Sequence, residues 1–353
     1  MPTHMSGVYL TRHGGPEALE WRTDIPVPTP GAGQVLVQVL AAGVNNTDIN
    51  TRIGWYSSDV TGATDSGEVG KAGGHAGALD FPRIQGGDIC GRIVALGQGV
   101  EGFAIGNRVT CAINLPRPTP ENPTAYIALG SEIDGAFAQF CLLDAADIFN
   151  VTASPLTDTE IAAMPCAYGT AYNLLHRAGV SKGHNVLITG ASGGVGMAAV
   201  QIAALKGASV TGVASAAKQQ DVLTMGAAQT LDRADTPPEN TYDIVIDVVA
   251  GDAFQSLIRA LKPGGHYATS GAIAGPIVQA DLREVYLRDI TIHGCTFTPR
   301  SVFAELIVLI NQGALTPLIS ATYPLSKIHE AQDTFMQKSL PGKFVLLPPK
   351  VPS

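Results

Sequence analysis

Residues 185–205 read NVLITGASGGVGMAAVQIAAL. Val186, Leu187 and Ile188 form an apolar run of strand type, and Gly190, Gly193 and Gly196 then follow three apart. Beyond them Val200, Ala203 and Ala204 recur at the i, i+3, i+4 spacing of a packed helix face. The pattern is strand, glycine turn, helix. One glycine permits the tight bend, one lets the backbone approach a pyrophosphate, and one lets helix and strand pack closely. The phosphate is then met at the helix N-terminus by its free N–H groups and positive dipole end. A tight turn with no ligand explains a bare glycine triplet equally well, so the decision rests on what surrounds it.

Residues 208–214 (ASVTGVA) read as a second strand, 216–225 as a helix, 241–249 (TYDIVIDVV) as another strand, and 266–271 as a further one after Pro263-Gly264-Gly265. Strands alternating with helices of this length predict an α/β fold with a doubly wound parallel sheet, the Rossmann arrangement. The uncharged run 185–205 has the length of a membrane span, but its glycines open the middle, so no membrane role is expected.

The 353 residues are enough for two domains. Hydrophobic residues at 45% and charged residues at 15% fit a globular chain. A formal net charge of −8 without clustered Lys and Arg argues against a nucleic-acid partner. The start, MPTHMSGVYL, lacks a basic segment followed by an apolar core, so no signal peptide is expected. Five cysteines at 90, 111, 141, 166 and 295 have no C-x-x-C spacing, which suits a reducing cytoplasm better than a disulfide scaffold.

Outside the centre the pattern changes. Residues 8–10, 34–40 (QVLVQVL) and 89–96 (ICGRIVAL) are short β-type runs between Pro- and Gly-rich turns, which predicts an irregular barrel or sandwich. Residues 159–177 read as helical, capped by Asp158 and interrupted at Pro165 and Gly169. Residues 302–311 and 328–338 are two further helices, and 343–347 (KFVLL) is a last strand expected to return to the first domain.

The segments VYLTRHGGPEALEW, AAGVNNTDINTR, GGDICGRIVALGQGVEGFAIGNRV, GASGGVG and LKPGGHYATSGAIAG, in this order, resemble the medium-chain dehydrogenase/reductase superfamily, and within it the zinc-independent quinone oxidoreductase and enone reductase branch. The resemblance implies a chaperonin-10-like β-rich catalytic domain, residues 1–150 completed by 295–353, around a Rossmann domain, residues 151–294, with the active site in the cleft between them. It implies cofactor contacts from Thr170, Gly190, Ser192, Gly193, Gly194, Val195, Gly196, Val249, Gly271 and Ile273. It also implies a homodimer formed through the strand in 288–297 (RDITIHGCTF), an exposed edge of the kind that pairs with a second chain.

Zinc members bring a Cys to the segment matching 43–48 and a His to that matching 86–88. Here those positions are Asn45 and Gly87, with Asp88 beside them; the third position matches Cys166. One thiolate and one carboxylate do not make the three-ligand site of a catalytic zinc, and Cys111 and Cys141 do not make a four-cysteine structural one, so no metal is expected. Without that Lewis acid, hydride transfer to an already activated acceptor remains feasible. Asn45, Asn46 and Tyr56 are the candidate hydrogen-bond donors to the acceptor oxygen, with Asn45 nearest the nicotinamide by family position. An Asx turn at Asn45-Asn46 and a Trp55–Tyr56 core pair are the alternatives.

NAD-specific sheets place an acid at the end of the second strand for the ribose 2′-hydroxyl. Here that end is Gly212-Val213-Ala214-Ser215, with Lys218 and Arg233 following. Ser215, Lys218 and Arg233 suit a 2′-phosphate, so the expected cofactor is NADPH; solvated surface cations are the other reading. Residues 57–80 form a long link with six glycines, a lid or a passive loop. Its His75 is a proton donor or a solvent-exposed side chain, Cys166 an inert packing residue, and Asp48 with Arg52 a helical ion pair.

The expected function is thus an NADPH-dependent, zinc-free, cytoplasmic oxidoreductase that transfers hydride to a small carbonyl or quinone substrate. A zinc-type alcohol dehydrogenase with atypical ligands and a non-catalytic NADPH-binding protein are the alternatives.

Overall fold

In the structure, a computed structural model that describes residues 1–66, 70, 73–75, 77 and 79–351, the run 185–205 becomes the strand Asn185–Ile188 and the helix Gly194–Leu205. The strand is central in a six-stranded sheet of order Gln229–Leu231, Ser209–Val213, Asn185–Ile188, Tyr242–Asp247, Leu261–Thr269, Thr291–Gly294. Every neighbouring pair is parallel. Leu187 lies opposite Thr211 on one side and Val245 on the other. The sheet buries Leu187, Val245, Leu257, Ile258 and Tyr267 in a single cluster, which explains why these strands read as continuous apolar runs rather than alternating ones.

This sheet belongs to a unit made of residues 61–68 and 170–298. A second unit contains 1–60, 69–169 and 299–353. The division falls at Gly169/Thr170, so residues 151–169, grouped with the nucleotide-binding domain on sequence, lie in the other unit. The β-rich unit is built on the strand Gln34–Val44, which pairs antiparallel with Cys90–Leu96, Phe140–Asp144 and Lys343–Leu347. The last strand therefore returns to the first domain across some 300 residues of chain, placing Phe344 opposite Val44. A smaller sheet, Leu19–Pro26, His4–Leu10 and Arg83–Ile84, packs into the same core, where Val8, Leu36, Ile93, Phe137 and Phe344 are buried.

Several local expectations change. The cap of the helix Asp158–Ala162 is Thr157, not Asp158: Glu160 N–H donates to Thr157 Oγ1 at 3.3 Å, and Thr157 N–H to Glu160 Oε2 at 2.7 Å. This reciprocal pair satisfies two free helix-end donors. Gly169 does not interrupt a helix, since Pro165–Arg177 runs straight through it. A Cβ there would stand 3.1 Å from the Phe303 ring, so the glycine serves the close approach of the helix Arg300–Gln312. Asp48 and Arg52 form no ion pair among the described residues. Arg52 donates instead to Gly14 O at 3.0 Å, and Asp48 faces the buried cluster described below.

Candidate functional site

The nucleotide turn is made of backbone. Gly190 has φ +56°, a left-handed conformation open to glycine. A Cβ on Gly196 would collide with Gly190 O and stand 2.7 Å from Ala191 Cα, whereas one on Gly193 would meet nothing nearer than Gly190 O at 3.4 Å. Gly196 thus serves helix–strand contact, and Gly193 keeps an open approach at the start of the helix Gly194–Leu205. There the first N–H groups, including those of Gly194, Val195 and Gly196, have no partner within the helix. These features fit a dinucleotide pyrophosphate. Ser192 is buried beside the turn, and Thr170 lies in the helix Pro165–Arg177.

Asp247, fully buried at the end of its strand, organises the neighbouring loop. It accepts from Thr189 Oγ1 at 2.5 Å, from Val249 N–H at 2.9 Å, from Ala250 N–H at 3.2 Å and from the Tyr267 hydroxyl. Val249 O in turn accepts Ala274 N–H at 2.9 Å, tying the loop of Gly271 and Ile273 to it. Thr64 of the 57–80 link donates to Ile273 O at 3.3 Å. At the end of Ser209–Val213 there is no carboxylate, and Ser215 caps the turn Ala216–Lys218. Burial, first, and the charge of Arg233 lower the Lys218 pKa, while Asp221 opposes them. Asp232 accepts Ala216 N–H at 3.0 Å and so holds the start of that turn.

The β-rich unit carries the side-chain chemistry. Asn45 caps the helix Asn46–Ile53, its N–H donating to Asp48 Oδ2 at 2.8 Å. Its amide is only 6% exposed and engaged at both ends: Nδ2 donates to Asp88 Oδ2 at 2.9 Å, and Oδ1 accepts from Lys343 Nζ. Lys343 also donates to Asp88 Oδ2 and to Val44 O, each at 3.0 Å. The other Asp88 oxygen accepts Cys166 N–H at 2.5 Å. Gly43 makes room, for a Cβ there would collide with Asp88 Oδ2. Burial, first, and the neighbouring Asp88 push the Asp48 pKa up to about 7.

In the first turn of the same helix, the Thr47 hydroxyl lies 2.8 Å from the hydroxyl of Tyr56, which follows the helix. Burial raises the Tyr56 pKa, so the phenol stays protonated and able to donate. Trp55 meets the Tyr56 ring edge-on at 5.6 Å. His75 is half-buried rather than exposed, with its ring 4.8 Å from Tyr56 and 5.6 Å from Tyr126. Its backbone N–H donates to Ser131 Oγ at 2.8 Å, and burial lowers the ring pKa, favouring the neutral imidazole. Residues 67–69, 71, 72, 76 and 78 of the link lie outside the described residues, and with them any judgement of the whole link as a lid.

The positions matched to zinc ligands do not fit a catalytic zinc. Asn45 supplies an amide that is already engaged. A side chain at Gly87 would collide with Ile113. Asp88 is occupied by Lys343, Asn45 and the Cys166 N–H. No group of three or more His, Cys, Asp or Glu positioned for a metal occurs among the described residues. Among the same residues, no helix is long and apolar enough to cross a membrane.

Asn45, Tyr56 and the glycines were candidates on sequence; Thr47 and Lys343, which the structure brings to the same cluster, were not. The N-N-T-D run at a helix start signals Thr47; nothing local signals Lys343, which reaches the site from the other end of the chain.

Two family models match the chain: the alcohol dehydrogenase GroES-like domain over residues 31–153 and the zinc-binding dehydrogenase domain over residues 194–312. Human quinone oxidoreductase is 29% identical, covering 97% of this chain and 98% of its own length. An acryloyl-coenzyme A reductase from Metallosphaera sedula is 26% identical over 92% of this chain and 95% of its own. The crystal structure of a putative alcohol dehydrogenase from Sinorhizobium meliloti 1021 is 38% identical, covers 99% of this chain and 98% of that one, and superposes with a TM-score of 0.89.

Proposed function

The chain belongs to the medium-chain dehydrogenase/reductase superfamily, and from that premise we propose that it is an NADPH-dependent, zinc-free oxidoreductase reducing a quinone or an activated carbon–carbon double bond. The observation that carries the reading is the combination of two cations, Lys218 and Arg233, following a second strand that ends without a carboxylate, with a site in the β-rich unit whose donors are hydroxyls. The similarity to a quinone oxidoreductase and an acryloyl-coenzyme A reductase supports the acceptor class.

Bound NADPH supplies the hydride. When a carbon of the acceptor takes it, the electron pair displaced from the double bond moves onto the carbonyl oxygen, and a proton must follow. The protonated Tyr56 hydroxyl, oriented by Thr47, donates to that oxygen as charge develops. The amide of Asn45 holds the turn that presents Thr47 rather than facing the acceptor, a revision of the role expected for it. On the cofactor, Ser215, Lys218 and Arg233 hold the 2′-phosphate, and the backbone from Gly190 to Gly196 holds the pyrophosphate. Gly271, Ile273 and Val249 support the nicotinamide end. The strand Thr291–Gly294, an edge of its sheet, pairs with a second copy in a homodimer.

The test is NADPH oxidation at 340 nm by metal-stripped protein, with quinones, 2-alkenals and cyclic enones offered in parallel and NADH as control. Turnover untouched by chelator is expected. Activity that appears only with added zinc would indicate an alcohol dehydrogenase. Tight NADPH binding without turnover of any acceptor would leave a binding protein.

A further inference from the structure

Lys343 is 3% exposed, and a buried ammonium has three N–H donors to satisfy. The structure supplies three acceptors: Val44 O, Asn45 Oδ1 and Asp88 Oδ2. Two of them belong to the turn that ends the strand Gln34–Val44 and begins the helix carrying Thr47. The third belongs to the carboxylate that receives the Cys166 N–H at the start of the helix Pro165–Arg177. One cation therefore joins the two helix starts to the C-terminal strand Lys343–Leu347, at positions matched to metal ligands whose donors do not fit a metal. It also decides which way the Asn45 amide faces, because its oxygen must accept from the ammonium and its nitrogen then donates to Asp88.

We propose that Lys343 is a positioning residue: its ammonium is the internal cation of this site, orienting the Asn45 amide and so fixing the turn that presents the Thr47 and Tyr56 hydroxyls. The catalytic part of this rests on the reading of the site given above. The orienting of Asn45 does not.

The experiment compares wild type, Lys343→Arg, Lys343→Met and the double variant Lys343→Met/Asp88→Asn. It reads the Asn45 side-chain amide resonances in ¹⁵N-labelled protein, the NADPH dissociation constant by fluorescence, and kcat and KM for the acceptor. Lys343→Met should lose the Asn45 amide shift and drop kcat by about 10²-fold, the scale of an ångström of misplacement, while NADPH affinity and acceptor KM hold. Lys343→Arg keeps the charge but presents a planar fork to three converging acceptors, so its kcat should fall between the two.

Lys343→Met leaves Asp88 buried without its counterion and is the variant most prone to misfold. The double variant removes both charges and should fold, yet it leaves Asn45 Oδ1 without a donor, so kcat should stay low. Wild-type kcat in the double variant would mean that Lys343 is merely the counterion of Asp88, and an unmoved Asn45 resonance in Lys343→Met would mean that it orients nothing. Either result overturns the proposal. If wild type reduces no acceptor, the functional reading fails instead, and the Asn45 resonances still decide the role of Lys343.

Discussion

The nucleotide turn and the Asn45 cluster are both candidate binding chemistry, but they are made of opposite materials. At the turn, three glycines within seven residues expose backbone N–H groups, and no ionisable side chain is involved. At the cluster, two carboxylates and one ammonium are buried, drawn from positions 48, 88 and 343. The first site tolerates no added volume at Gly196. The second tolerates no lost partner, since a buried charge is costly once its counterpart is removed. Backbone sites fail by collision and side-chain sites by desolvation, so substitutions should separate them.

The sharpest contrast lies within the turn itself. Gly196→Val puts a branched side chain against Gly190 O and Ala191, an overpacking expected to cost roughly 1–3 kcal/mol or more. NADPH affinity should fall with it, by about 10²-fold, as read by fluorescence titration and thermal melts. Gly193→Ala, with its nearest contact at 3.4 Å, should melt near wild type and lose affinity only. Equal destabilisation by the two would break the distinction between a packing glycine and a ligand-approach glycine.

Next in size, Tyr56→Phe removes a donor without volume. Steady-state kinetics should show kcat reduced by on the order of 10²-fold, the lower end of the range for one developing-charge contact, with NADPH binding unchanged. A wild-type kcat would shift attention from Tyr56 to Thr47.

At the cationic corner, Lys218→Ala and Arg233→Ala should each lower the preference for NADPH over NADH by about tenfold, corresponding to one charge-assisted contact of roughly 1.5 kcal/mol. The kcat/KM ratio for the two cofactors measures it. An unaltered ratio would make these cations part of the solvated surface.

The smallest effect is on pH-dependent stability. The Asp48 pKa is raised to about 7 by burial beside Asp88, partly offset by Lys343, whereas unfolding returns it to about 4. The folded state therefore binds more protons than the unfolded state between these values, and stability falls as pH rises through that window, levelling off above 7. Asp48→Asn should raise the melting temperature at pH 8 by several degrees, for about 1–2 kcal/mol, with little change at pH 4. A gain of equal size at both pH values would remove titration of Asp48 as the cause.

The same contrast explains what could be read in advance. Gly190, Gly193 and Gly196 declared strand, turn and helix because each step of that structure is local, and the parallel sheet followed from apolar runs buried on both faces. Asn45 was visible as a polar residue at a helix start, and Tyr56 as a polar aromatic just past the end of the same helix. The continuity of Pro165–Arg177 through Gly169 was not, because its reason is the Phe303 ring. His75 read as solvent-exposed or as a proton donor, since Tyr126 and Ser131 lie 51 and 56 residues away.

By itself the sequence determined the doubly wound sheet, the β-rich partner unit and the absence of an acid at the end of the second strand. These follow from periodicity, turn chemistry and residue identity within short windows. Only the tertiary structure decided that Lys343 reaches Val44, Asn45 and Asp88, that Asp88 is already occupied, and that Asn45 faces inward. The physical reason is that a buried charge takes its partners wherever the fold brings acceptors together, and strand pairing across some 300 residues leaves no trace in local pattern.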